Sequence, residues 1–271
     1  MTTIMTALFF HALRPQDRIA VKPHASPLFH AIQYMLGRQT REQLEAFRAL
    51  GGAQSYPSRT KDHDDVDFST GSVGLGVAVT AFASLVQDYL AARDLIPPER
   101  LGRFIATVGD AELDEGNVYE ALIEACKHDL RNIWWIVDYN RQSLDAVTPD
   151  RMFDRFDDIF AAAGWRVETL KYGRKLRNAF REPGGGQLRE WIDACPNDLY
   201  AALCFEGGAA WRERLDADLK GPAQKLLDGY DDEGLGRLMT SLGGHCLETM
   251  IEAFDRAAAS PTPIFILAYT V

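Results

Sequence analysis

Two short polar segments could together bind a divalent cation and an anionic ligand. Gly109-Asp110-Ala111 directly follows one apolar run, and Asn140 follows the next apolar run along the chain. If both runs are parallel strands, their carboxyl ends lie at one edge of a sheet, which brings Asp110 and Asn140 close together. Carboxylate and amide oxygens are hard ligands suited to Mg²⁺, which keeps its other positions for water and phosphates. The helix predicted after Glu115 would turn its positive end toward the same edge, which favours a phosphate group.

Five apolar runs predict the strands that must position these residues. Each run is continuous rather than alternating, as expected for parallel strands covered on both faces. Helical patterns lie between them, at 28–36, from Thr40 onward, and at 118–126, 152–163 and 247–258. This alternation predicts an α/β fold with a doubly wound, mainly parallel sheet flanked by helices. The predicted strands are residues 18–21, 104–108, 133–137, 165–170 and 264–268.

The segment 172–244 contains no convincing strand, and its short helical patterns predict a helical insertion between two strands. The chain ends a few residues after an apolar run, where a loop leading to a helix would begin. We therefore expect residues 1–271 to form a single module that is part of a larger or split enzyme.

Composition narrows the classes of partner. Asp plus Glu number 39 and Lys plus Arg 29, and the net charge of −10 argues against nucleic acid, whose binding needs a basic face. The four cysteines form no CxxC pair and have no His at zinc-ligand spacing, so we expect them to be reduced in a cytoplasmic protein. Residues 68–87 carry no charge, but they are rich in Gly, Ala, Ser and Thr, which favours a buried helix over a membrane span.

These motifs resemble those of the thiamine-diphosphate enzyme superfamily. Gly109-Asp110-Ala111 followed by Asn140 resembles its fingerprint, usually Gly-Asp-Gly followed by Asn one βαβ unit later. Residues 17–27 resemble the strand-and-histidine segment of transketolases and homodimeric pyruvate dehydrogenases, and residues 70–76 resemble their glycine-rich helix start. The resemblance covers nearly the whole chain but only the diphosphate-binding, transketolase N-terminal-like module. The family's pyrimidine-binding module and C-terminal domain have no counterpart in the sequence.

Within the superfamily, the chain most resembles the homodimeric, acetyl-transferring pyruvate dehydrogenase component. Residues 54–57, 109–115 and 140–145 resemble that family's segments, and the 172–244 insertion is the strongest discriminator because typical transketolases lack it. The resemblance implies an oxidoreductase that decarboxylates a 2-oxoacid, pyruvate above all, and transfers the acyl group to the lipoyl group of an acyltransferase. Two alternatives stay open: transketolase-type ketol transfer between sugar phosphates, and a non-catalytic scaffold of the same fold.

The resemblance implies a cofactor-binding role for five residues. Asp110 and Asn140 would bind Mg²⁺ through their side chains, and Gln142 through its backbone carbonyl. Gly109 and Ala111 would approach the diphosphate with their backbones. Ala111 departs from the usual third glycine of the fingerprint, and its methyl group narrows the space for a phosphate.

Three further residues are implied at the reacting end of the cofactor. Val73, where the family has Met, would offer its carbonyl to the aminopyrimidine. His24 would handle protons near the reacting carbon, since imidazole titrates close to neutral pH, and Tyr56 would contact the substrate. Lys22-Pro23 replaces the usual Gln-Gly before this histidine, and Pro23 removes a backbone donor there.

The resemblance also implies partners. The family activates its cofactor with a glutamate from the pyrimidine-binding module, so we expect that module as a separate chain or as the rest of a longer polypeptide. We also expect self-association, because the glycines and alanines of residues 68–87 would let another helix approach closely.

Three other motifs have simpler interpretations. His63 lies in a run of charged residues, which favours a solvated loop over a metal site. Trp134-Trp135 falls inside a predicted strand, which favours core packing. Gly74-Leu75-Gly76 is a poor dinucleotide-binding motif, because the third glycine and a preceding strand are missing.

Overall fold

A five-stranded parallel sheet organises the computed structural model, which describes residues 1–140 and 152–271. The strand order is β1-β2-β3-β5-β4, and every neighbouring pair is parallel. This confirms the predicted sheet, and each strand differs from its prediction by one or two residues at one end. The strands are Arg18–Ala20 (β1), Phe104–Gly109 (β2), Ile133–Tyr139 (β3), Arg166–Leu170 (β4) and Ile264–Tyr269 (β5).

Helices cover both faces of the sheet, as the doubly wound prediction requires. Alternate strand residues point to opposite faces, so Trp135 and Val137 pack on one side while Trp134 and Ile136 pack on the other. The helices are Thr2–Ala7 (α1), Ser26–Met35 (α2), Arg41–Glu45 (α3), Leu75–Ala92 (α4), Gly116–Lys127 (α5), Met152–Ala162 (α6), Arg174–Ala179 (α7), Gly185–Ala194 (α8), Asn197–Glu206 (α9), Gly208–Asp218 (α10), Pro222–Leu227 (α11), Asp232–Met239 (α12) and Leu247–Ala258 (α13). Residues of α4, α5 and α6 pack with Trp135, whereas residues of α1, α2 and α13 pack with Trp134.

The predicted helical insertion between β4 and β5 has a core of its own. Helices α7 to α12 bury one apolar cluster around Trp211, whose indole lies edge-on to the ring of Tyr200 at 4.9 Å between centroids. The Tyr200 hydroxyl donates a hydrogen bond to the Met239 carbonyl, which ties α9 to the end of α12. An isolated antiparallel bridge between Tyr172 and Leu242 closes the base of the segment.

Helix α4 carries the uncharged stretch but is buried on one face only. It is long and apolar enough by length and composition to cross a membrane, and 33% of its most apolar window is buried. Val77, Ala78 and Ala81 pack toward the sheet, whereas Phe82 and Val86 are exposed. The sequence predicts a buried helix at residues 68–87, and within one chain only the sheet-facing side of α4 is buried. The solvent side leaves an apolar surface without a partner from the described part of the chain.

Candidate cofactor site

The predicted site residues follow neighbouring strands at the carboxyl edge of the sheet. Gly109, the last residue of β2, is in register with Asp138 of β3, and Asn140 comes directly after β3. Since adjacent strands lie ~4.8 Å apart, Asp110 and Asn140 emerge side by side at this edge. The Asp110 side chain is buried, and its Oδ1 accepts a hydrogen bond of 3.0 Å from the Ala111 amide. Gln142, the third predicted ligand, lies outside the described residues.

Glu112 is a structural residue of the site that sequence reasoning missed. Its Oε1 accepts the Gly109 amide at 2.9 Å, and its Oε2 accepts the Gly74 amide at 3.1 Å. One buried carboxylate therefore joins the end of β2 to the start of α4. The sequence contains part of the pattern that predicts this contact. A Glu three residues after the residue that caps a helix commonly accepts the backbone amide of that residue, and Glu112 lies three residues after Gly109.

The Glu112 bridge places Val73 beside the loop that follows β2. Gly74 has a φ of +76°, a left-handed conformation that glycine adopts at little cost, and it lets the chain turn into α4. A Cβ at this position would lie 2.9 Å from the Cβ of Glu115. Val73, the predicted contact of the aminopyrimidine, is partly exposed just before this turn.

His24 and Tyr56 come from two segments that are fastened together. His24 is exposed in the short 3₁₀ helix Pro23–Ala25, where Pro23 occupies a position that suits proline. The Ser26 hydroxyl donates to the Ser55 carbonyl, which holds the Tyr56 segment next to the start of α2. The Tyr56 ring lies against Gly71, where an added Cβ would be 3.4 Å away. Both predicted catalytic residues therefore lie on segments around the same sheet edge.

A buried ion pair lies beneath this edge. The Lys22 backbone amide donates to Thr107 Oγ1 at 2.8 Å, and the Lys22 ammonium donates to Asp138 Oδ2 at 3.3 Å. Asp138 also accepts hydrogen bonds from the Thr270 hydroxyl at 2.8 Å and the Met1 amino group at 3.2 Å. Burial alone would raise the pKa of Asp138, but the Lys22 ammonium and the amino group hold that pKa below its ordinary value. Asp138 is therefore ionised at neutral pH.

The residues present fit a magnesium diphosphate. Asp110 and Asn140 offer the hard oxygen donors that Mg²⁺ takes. Asp110, Glu112 and Asp138 are each buried to more than nine-tenths at this edge, so an anionic ligand needs cations to offset their charge. Mg²⁺ supplies that charge when it is bound by these ligands.

A second group of possible metal ligands is hydrogen-bonded within the protein except at one atom, Asp64 Oδ1, which is buried and has no hydrogen-bond partner among the described residues. Ligand atoms of His30, Asp62 and Asp64 all lie within 4.8 Å of one another. His30 Nδ1 pairs with Asp64 Oδ2 at 2.6 Å and Nε2 with the Gln54 carbonyl at 3.0 Å. Both oxygens of Asp62 accept backbone amides at 2.8 and 2.7 Å. We therefore interpret the group as a hydrogen-bonded brace between α2 and the 54–64 loop.

The simpler interpretations of the other motifs hold. His63 is exposed on the loop. Trp134 and Trp135 are both buried in β3, on opposite faces of the sheet. Gly74 precedes a helix that no strand directly leads into, so the dinucleotide interpretation stays excluded.

The fold and the site together define a cofactor-binding α/β module. The family model described as the thiamine diphosphate binding domain of transketolase matches residues 14–180, more than half of the chain. The chain belongs to this family, which confirms the resemblance predicted from the fingerprint.

Relatives and solved structures agree with this assignment. The chain is 28% identical to the pyruvate dehydrogenase E1 components of Haemophilus influenzae, over 94% of its length, and of Escherichia coli K12, over 97%. It spans only 29% and 30% of those two proteins. Transketolases from Leishmania mexicana and Campylobacter jejuni share the fold, with TM-scores of 0.64 and 0.61 at 19% and 20% identity. Each alignment covers 98% of this chain and 31% or 32% of the transketolase.

Proposed function

We propose that the chain is the thiamine-diphosphate- and Mg²⁺-binding module of the decarboxylating component of a 2-oxoacid dehydrogenase, with pyruvate as the substrate. The observation that carries the proposal is the emergence of Asp110 and Asn140 from adjacent parallel strands in a chain of this family. The similarity to pyruvate dehydrogenase E1 components over nearly the whole chain supports the choice of reaction.

In this proposal, the residues of the chain hold and orient the cofactor. Asp110, Asn140 and the Gln142 carbonyl bind Mg²⁺, while the Gly109 and Ala111 backbones approach the diphosphate. The amides of Gly109 and Ala111 donate to the carboxylates of Glu112 and Asp110, so these carboxylates also fix the loop that would receive the phosphates. Thiamine diphosphate, when bound, supplies the electron sink for the carbanion left by decarboxylation.

The remaining residues act on protons and substrate. His24 is exposed at the sheet edge, where it can accept or donate a proton close to the reacting carbon. The Val73 carbonyl receives the aminopyrimidine, and the Tyr56 hydroxyl contacts the substrate. The acyl group would then pass to the lipoyl disulfide of an acyltransferase, which serves as the oxidant. One sulfur would take the acyl group as the S–S bond breaks, and the other would be released as a thiol.

We further propose that the module works in a larger cytoplasmic assembly. It pairs with a pyrimidine-binding module, on a separate chain or on the rest of a longer polypeptide, and with a second copy of itself. The arrangement is supported by length, because the chain spans only 29% and 30% of the two pyruvate dehydrogenase E1 components to which it is similar.

A binding experiment tests the cofactor assignment. We expect the full chain, mixed with a pyrimidine-binding module, to bind thiamine diphosphate in calorimetric titrations only when Mg²⁺ is present. Asp110→Ala should abolish this metal-dependent binding, whereas Asp129→Ala, an exposed aspartate beyond α5, should leave it unchanged. Binding that is equally tight without Mg²⁺ would contradict the site.

An activity experiment separates the proposed reaction from ketol transfer. The solved transketolases share the architecture of the chain at 19% and 20% identity, and this likeness does not distinguish the two reactions. The assembled enzyme should turn over pyruvate with an artificial electron acceptor. If the enzyme turned over a ketose phosphate with an aldose but did not turn over pyruvate, ketol transfer would replace the proposed reaction. Failure to bind thiamine diphosphate at all would favour the non-catalytic scaffold.

A further inference from the structure

The ammonium group of Lys22 lies against the backbone that is expected to receive the diphosphate. A Cβ built on Gly109 would be 3.0 Å from Lys22 Cε and 3.2 Å from Lys22 Nζ. The side chain therefore runs from the end of β1 across Gly109 toward Asp138 on β3. The backbone of Lys22 is held in place, because its amide donates a hydrogen bond to Thr107 Oγ1 on β2.

We propose that Lys22 is a diphosphate-binding residue of this chain, an assignment that rests on the function proposed above. The Lys22 side chain is only 14% exposed, and its ammonium lies beside Gly109. A phosphate approaching that backbone therefore comes within reach of a positive charge with little water between them. The usual glutamine at this position could offer a hydrogen bond but no charge.

The electrostatic surroundings explain why a cation is useful here. Asp110, Glu112 and Asp138 place three buried carboxylates at the edge that must accept an anionic diphosphate. One Mg²⁺ would offset two of these charges, and the Lys22 ammonium and the Met1 amino group both lie within hydrogen-bond distance of the third, Asp138. Asp138 also accepts the Thr270 hydroxyl, so it keeps a hydrogen bond when the ammonium turns toward a phosphate.

A different role for Lys22 predicts a different result. If Lys22 served only to neutralise Asp138, its loss would weaken diphosphate binding solely because Asp138 would then repel the phosphates. Removing the charge of Asp138 as well would restore the affinity. If Lys22 binds the diphosphate itself, the double variant stays weak. A double-mutant cycle over Lys22 and Asp138 separates these two roles.

The test compares calorimetric affinities for thiamine diphosphate with Mg²⁺, using the full chain assembled with a pyrimidine-binding module. Lys22→Gln should weaken binding by about 10- to 100-fold, the range for loss of a hydrogen bond to a charged group. Lys22→Gln with Asp138→Asn should remain at least about 10-fold weaker than Asp138→Asn alone. Lys22→Arg should retain most of the affinity, and unphosphorylated thiamine should bind wild type and Lys22→Gln equally.

Matched controls separate the outcomes. Lys127→Gln removes an exposed lysine that pairs with Glu124 at 2.6 Å, and it should have no effect. Unchanged affinity of Lys22→Gln, or restored affinity of the double variant, would overturn the role of Lys22 and leave the proposed function intact. A wild-type assembly that binds no thiamine diphosphate would overturn the proposed function and the assignment with it. Circular dichroism melting of each variant shows whether it is folded.

Discussion

Glu112 holds together two segments whose contacting residues are 38 positions apart in the chain. Its two oxygens accept one amide from each segment, and both amides are buried. The residue therefore acts as a clamp between β2 and α4, and its two hydrogen bonds fix the conformation of the loop that follows β2.

Replacing Glu112 by Ala should destabilise the chain by about 3 kcal/mol, because two buried amides lose charge-assisted hydrogen bonds. Glu112→Gln should cost about half as much, since its one carbonyl oxygen can accept one of the two amides. Urea unfolding measures both values. Glu120→Ala removes an exposed carboxylate on α5 and serves as the control. A Glu112→Ala chain as stable as this control would show that the clamp contributes nothing.

Gly74 should not tolerate a side chain. Gly74→Ala combines the positive φ, which costs an L-residue about 1–2 kcal/mol, with crowding against Glu115 Cβ at 2.9 Å. We expect a total loss of about 3 kcal/mol, since overpacking adds about 1–3 kcal/mol. The comparison is with Gly164→Ala, where φ is +82° and no atom lies within 4 Å of the added Cβ. Equal melting temperatures for the two variants would rule out the crowding.

At the scale of elements, the buried His30–Asp64 pair joins α2 to the loop that carries Tyr56. Burial lowers the pKa of His30, but the hydrogen bond and charge of Asp64, together with the Gln54 carbonyl and the charge of Asp62, raise that pKa above its ordinary value of 6.5. The folded chain therefore holds the imidazolium proton more tightly than the unfolded chain. The stabilisation by this pair is complete below pH 6.5 and is lost as the pH rises through the higher pKa of the folded state.

His30→Asn tests this brace, because an amide can still donate to Asp64 but carries no charge. The variant should lose about 3 kcal/mol at pH 6, as expected when one partner of a buried ion pair is removed. The difference in free energy of unfolding between wild type and variant should shrink at higher pH. His63→Asn, a change at the exposed histidine nearby, provides the baseline. A difference that stays constant from pH 6 to pH 9 would contradict the raised pKa.

The strands and the strand-end residues could be predicted from the sequence because their signals are local. A continuous apolar run such as 133–137 has few alternatives to a buried strand, and parallel strand ends bring Asp110 and Asn140 to the same edge. The roles of Glu112 and Lys22 depend instead on partners 38 and 116 positions away, which no local pattern records. Which residues of α4 form its exposed face could not be predicted, because an apolar stretch does not show which of its sides meets the sheet.

At the scale of the whole molecule, that exposed face predicts self-association. Phe82, Val86 and Tyr89 expose 46%, 56% and 56% of their surfaces along one side of α4. A second copy of the chain that packs its own α4 there would remove this apolar area from water.

Phe82→Glu should therefore shift sedimentation of the full chain from dimer toward monomer, because a charge would be buried in the new interface. The dissociation constant should rise at least about 10-fold. Phe205→Glu changes an equally apolar residue that is 94% exposed on α9, and it should leave the dimer intact. Dissociation by Phe205→Glu alone would place the interface on the insertion.

Because β5 lies between β3 and β4 but comes last in the chain, the sheet cannot be completed until synthesis is nearly finished. Residues 171–263 must be made after β4 before β5 begins, which takes roughly 5–20 s at ribosomal speeds of about 5–20 residues per second. During this interval, one edge of β3 and both edges of β4 have no partner strand and can join a strand of another nascent chain. Slower synthesis of residues 171–263 would lengthen that exposure, so we expect aggregation of newly made chains to increase as translation of the insertion slows.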